Sequence, residues 1–108
     1  MNSNLVQVVK KHLRDEVGVD PEKLDDFIKE SSGHLKNILM ILDDAIDEGD
    51  FEEIIVNAHK LRGALCNVGL ADLSLVAKSI EITAASNTPA YLCCYVMRLQ
   101  KELKVFFQ

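Results

Sequence analysis

In the stretch Ala58-His59-Lys60-Leu61-Arg62-Gly63-Ala64-Leu65, a histidine and a glycine stand where an ordinary amphipathic helix would carry solvated charge or a strong helix former. The imidazole of His59 is a nitrogen nucleophile, a side-chain type whose neutral form is well populated near neutral pH. Arg62 follows three residues later, close enough along a helix to reach an anion held at the histidine. Gly63 costs a helix about 1 kcal/mol relative to alanine, so something other than helix stability favours it. Attack on phosphorus would spread negative charge over three oxygens, which a guanidinium stabilises. The trio therefore suits a transferable phosphoryl group. The same spacing also fits a passive helix face on which the histidine is incidental, and these residues alone leave both readings open.

The element that must present them is read from the three-and-four spacing of Phe51, Ile54, Ile55, Ala58, Leu61, Leu65 and Val68, the pattern of a buried helical stripe. His59 projects about 110° from the centre of that stripe, at the edge of the exposed face. Its neighbours there are Glu52, Val56, Gly63 and Cys66, with Ile55 at the margin. That mixture of small and apolar groups predicts a docking surface rather than a charged face. Lys60 and Lys78 add positive potential nearby.

Residues 3–16 predict a short amphipathic segment with Ser3 as its cap, Leu5, Val8, Val9 and Leu13 on its apolar side, and Gly18 as its end. Asp20-Pro21-Glu22 starts a second helix: a capping carboxylate, proline at the first helical position, then acid in the first turn. Its stripe runs through Leu24, Phe27, Ile28, Leu35, Ile38, Leu42, Ala45 and Ile46, with a kink or brief break expected at Ser31-Ser32-Gly33. Gly49-Asp50 closes this helix and caps the one carrying His59, which ends over Asn67 to Gly69. A fourth helix is expected over residues 71–86, burying Leu73, Ala77, Ile80 and Ala84. After Asn87-Thr88-Pro89, a last one over 89–107 carries Tyr91, Leu92, Tyr95, Val96, Leu99, Leu103 and Phe106 on one side. Short connections between striped helices predict an all-α fold: an antiparallel four-helix bundle with a short additional N-terminal helix, one domain over residues 1–108.

Composition narrows the functions available. Hydrophobic residues make up 48% of 108, enough for one core, and only two prolines and five glycines interrupt the helices. A net charge of −5 argues against nucleic acid and anionic membranes, which would need a clustered basic surface. No apolar run reaches the roughly 18 residues of a membrane span and no signal-peptide core opens the chain, so a cytoplasmic location is expected. Three cysteines, two of them adjacent at Cys93-Cys94, suggest neither a disulfide framework nor a zinc site and read as small, partly buried helix residues. His12 and His34 make no ligand spacing with cysteine or carboxylate, so no metal or haem is expected. The acidic pairs Asp43-Asp44, Asp47-Glu48 and Glu52-Glu53 read as a solvated face.

The run His59-Lys60-Leu61-Arg62-Gly63, followed by Gly69, Leu73 and Glu81, resembles the signature of histidine-containing phosphotransfer (HPt) domains. The Asp20-Pro21 helix start, the Ala45 to Asp50 turn and Ala58 extend the likeness over nearly the whole chain. It implies that His59 accepts phosphate from an aspartyl phosphate on a receiver domain and passes it to another receiver. Arg62 falls where the family usually has a lysine that assists transfer electrostatically; charge is kept and geometry changed. Glu81 falls at the position that orients the imidazole through its second nitrogen, Gly63 where a glycine lets the receiver approach, and Gly69 where one closes the helix. Ala64-Leu65 departs from the usual small pair after the glycine. Gly63, Val56, Ile55, Cys66 and Lys60 are then the expected binding surface, and response-regulator receivers or a hybrid sensor histidine kinase the expected partners. No kinase activity and no cofactor of its own are implied, magnesium being held by the receiver's carboxylates, and no glycine-rich nucleotide loop is present. The competing expectation is a helical adaptor that binds a receiver or kinase domain without carrying phosphate.

Overall fold

The computed structural model describes residues 3–107, with side chains from Leu5 onward. Helix α1 covers Ser3–His12, α2 Leu24–Glu48, α3 Phe51–Asn67, α4 Ala71–Ala85 and α5 Leu92–Leu103, and no strand occurs among the described residues. Helix α3 packs between α2 and α4, and α5 closes the ring against α4 and α2, so the four longer helices form the expected bundle. The cap expected at Ser3 lies outside the described side chains.

The helix boundaries follow local chemistry. Asp20 accepts a hydrogen bond from the Glu22 amide at 3.1 Å and Pro21 opens a 3-10 turn over Pro21–Lys23 that feeds α2. At the other end of α2, Gly49 adopts φ 70°, and its amide returns to the carbonyls of Ala45 and Ile46. Asp50 then caps α3 through the Glu53 amide. Gly69, at φ 82°, turns the chain from α3 into α4.

From α2 onward, four readings of the sequence are corrected. The helix of α2 runs unbroken through Ser31-Ser32-Gly33. Ser32 Oγ donates at 2.8 Å to the carbonyl of Phe106 rather than competing for its own helix backbone, and the buried Leu35, Ile38, Leu39 and Leu42 hold the segment against its neighbours. Phe27 is 38% exposed, at the rim of a groove rather than in the core. Tyr91 is 62% exposed because it belongs to a second 3-10 turn, Pro89–Tyr91, whose tighter winding takes it off the stripe of α5. All three cysteines are free and exposed, being off the apolar stripes.

The N-terminal segment shares the bundle's core through the fully buried Val9 of α1 and Leu13 just beyond it, while Val8, expected on the apolar side, faces out instead. Helix α1 continues as a π turn over Leu13–Val17 that ends at Gly18, φ 83°. The His12 ring lies against the α3–α4 turn: a Cβ built on Gly69 would stand 2.5 Å from His12 Cγ. Gly69 thus meets two demands at once, a left-handed φ and a close neighbour. Gly69→Ala is expected to destabilise the fold by more than about 1 kcal/mol. Gly33→Ala, at a helical position with open space around it, is expected to stabilise by about 0.4–1 kcal/mol. Thermal melts read both, at about 4–8 °C per kcal/mol for a domain near this size.

Candidate functional site

The side-by-side packing of α3 and α4 is the most extensive helix contact in the molecule. Each helix contributes a wholly buried alanine, Ala58 and Ala77, beside larger residues such as Leu61 and Ile80. Small residues let helix axes approach, so polar side chains just outside the seam can meet. His59 follows Ala58 on α3, and Glu81 follows Ile80 on α4.

The two do meet. His59 Nδ1 lies 3.4 Å from Glu81 Oε2, and Arg62 Nη2 lies 2.9 Å from the same Nδ1. The guanidinium also stands 3.7 Å from Glu81 Oε1, a buried oxygen with no hydrogen-bond partner among the described residues. Exposure grades across the trio: 63% for the imidazole, 32% for Arg62 and 23% for Glu81. Both polar contacts of the ring therefore fall on Nδ1, and Nε2 is the nitrogen they leave unengaged.

On the other flank of His59, a groove of about 770 Å³ opens between α3 and α2. His59, Lys60, Gly63 and Ala64 line its α3 wall, and Phe27, Ser31, His34 and Ile38 its α2 wall, with Val17 of the π turn at one edge. A Cβ placed on Gly63 would meet nothing within 4 Å. Of the expected binding residues, Gly63 and Lys60 belong to this groove. Val56 and Cys66 are exposed on the same helix outside its lining, and Ile55 is half-buried against the core. The α2 wall was not read from the sequence, which placed Phe27 in the core and Ser31 at a break. Its signal was present in the i, i+4, i+7, i+11 spacing of Phe27, Ser31, His34 and Ile38: one helix face, apolar at both ends and polar in the middle.

A sequence model of the Hpt domain matches residues 22–104, from the turn before α2 to the end of α5. The chain belongs to the Hpt domain family. No curated protein and no solved structure matches the chain. Hpt domains are phosphocarriers of histidine phosphotransfer in two-component signalling and work with receiver domains and kinases. The family match begins after α1, although α1 contributes to the core and its π turn reaches the groove. Among the described residues no cluster of three or more metal-ligating side chains occurs, and no helix of this Hpt domain is long and apolar enough to cross a membrane.

Gly63 allows helix stability and the expected docking role to be separated. With open space at its Cβ, Gly63→Ala is expected to stabilise the isolated domain by about 0.4–1 kcal/mol, and Gly63→Gln to fold at least as well as the parent. The glutamine side chain would stand one turn from His59 over the groove, so binding of a receiver should weaken and transfer slow. Melting curves alongside titration with a receiver check this. An unfolded Gly63→Gln would mean that the glycine serves close helix packing, and one that transfers normally would place the docking surface elsewhere.

Proposed function

We propose that this chain is a phosphorelay intermediate in which His59 accepts a phosphoryl group from a receiver-domain aspartyl phosphate and passes it to another receiver. The observation that carries the proposal is the convergence of Glu81 and Arg62 on Nδ1 of an exposed imidazole, which leaves Nε2 as the nitrogen that neither contacts. In the accepting step the Nε2 lone pair forms the bond to phosphorus as the phosphorus–oxygen bond to the aspartyl carboxylate breaks, its electron pair leaving with that carboxylate. The ring becomes more cationic as the bond forms, and Glu81 beside Nδ1 stabilises that charge.

The remaining roles follow from position. Arg62 supplies positive charge next to the ring, and Lys60 supplies it at the groove. Gly63 clears the approach that in-line transfer requires, since reacting atoms must come within about 3–3.5 Å. Val56, Cys66 and the edge of Ile55 extend the contact surface along α3. The domain acts as a carrier without kinase activity, magnesium resides on the partner receiver, and a cytoplasmic location fits partners of this class. Donors and acceptors are receivers, free or within a hybrid sensor histidine kinase. The net charge of −5 disfavours nucleic acid and anionic membrane as partners.

Labelled phospho-receivers incubated with wild-type protein and with His59→Gln test the proposal. Label is expected on the wild type and none on His59→Gln, whose helicity and melting should be nearly unchanged because the imidazole is exposed. Residual label on the variant, or label mapped to His12 or His34, contradicts it. Receivers that bind without losing label would identify the chain as an adaptor.

A further inference from the structure

We propose that Arg62 acts as a latch that decides which nitrogen of His59 carries the proton, and so whether Nε2 is free to attack. The inference rests on His59 being the phosphoacceptor, and it concerns a positioning residue rather than a group that touches phosphorus.

A neutral imidazole has one N–H and one ring lone pair; a guanidinium only donates hydrogen bonds, and an ionised carboxylate only accepts them. Arg62 and Glu81 both address the same nitrogen, so their claims on it exclude each other. If Arg62 donates to Nδ1, the proton sits on Nε2, which then has no lone pair to offer phosphorus. If Nδ1 donates to Glu81, the lone pair sits on Nε2. The closer contact is the guanidinium's, 2.9 Å against 3.4 Å, which makes the structure the latched form.

The released form is already laid out. Glu81 Oε1 is buried, lacks a hydrogen-bond partner among the described residues and lies 3.7 Å from the same Arg62 nitrogen. A shift of the guanidinium onto Oε1 would give that oxygen its missing donor and vacate Nδ1. The proton then leaves Nε2 and returns at Nδ1 through solvent, to which the imidazole is open. Nδ1–H donates to Glu81 Oε2, both carboxylate oxygens are satisfied, and Nε2 presents its lone pair. When the bond to phosphorus forms, the Nδ1 proton stays in place against Glu81. A partner whose docking draws Arg62 off the ring would thereby switch on the nucleophile it needs.

The tautomer ratio is the direct readout. Transfer rate is not, because removing Arg62 both frees Nδ1 and deletes a positive charge, with opposite effects. Long-range proton–nitrogen correlation spectra of the nitrogen-15-labelled chain, in mildly alkaline solution with imidazoles neutral, report the protonated nitrogen of His59, with His12 and His34 as internal references. Wild type should carry the proton chiefly on Nε2. Arg62→Met should move the ratio toward Nδ1–H by roughly tenfold or more, the span of one hydrogen bond to a charged group. Adding Glu81→Ala to Arg62→Met should return the proton to Nε2, since no acceptor then holds it at Nδ1. A wild-type proton on Nδ1, or an unmoved ratio in Arg62→Met, overturns the latch even if His59 accepts phosphate. Loss of the His59 assignment would show instead as label on His59→Gln.

Discussion

The contact of Glu81 with Nδ1 of His59 is the interaction on which the site depends, and neither residue can make it alone. Both lie just outside the α3–α4 seam, so the contact exists only while those helices run side by side at the spacing their buried alanines permit. The turn between the helices is held by Gly69, whose left-handed φ no ordinary residue adopts cheaply and whose missing Cβ makes room for His12. A carboxylate at one ring nitrogen orients the imidazole and compensates charge that develops on it, while the other nitrogen is left for chemistry.

On the proposed reading, the opposite flank of His59 serves recognition. There α2 and α3 separate into a groove whose walls are largely apolar, with Lys60 and His34 as its polar margin and no side chain at Gly63. On that reading, orientation of the imidazole and approach of a partner are divided between two helix interfaces that share α3. Gly63, unfavourable to a helix, lies one turn from the imidazole on a face the core does not use. Helix α1, outside the family match, joins the two sides by packing His12 on the α3–α4 turn and lending Val17 to the groove.

Features that a few neighbouring residues decide were legible in the sequence. Asp20-Pro21, Gly49-Asp50 and Gly69 act where their own dihedrals and hydrogen bonds put them, and the stripe of α3 gave the outward setting of His59 by periodicity alone. What failed depended on distant partners. Ser32 would favour a break in an isolated helix, but it finds an acceptor 74 residues away at Phe106. Phe27 has the spacing of a core residue, yet lies where α2 parts from α3. Glu81 came from likeness to a family, because spacing along one helix says nothing about a residue on the next. The convergence of Arg62 and Glu81 on one nitrogen is a matter of tenths of an ångström, below anything residue types can specify.

With Nδ1 occupied by Glu81 and Arg62, Nε2 of His59 is the proposed reacting atom. Nitrogen–phosphorus coupling, measured by NMR on the isotopically labelled chain after phosphorylation by a receiver, reads the bonded nitrogen directly. Phosphorus is expected on Nε2, with the Nδ1 proton retained and shifted by its bond to Glu81. Coupling to Nδ1 of His59 would contradict that, because a phosphoryl group there would have to displace both Glu81 and Arg62.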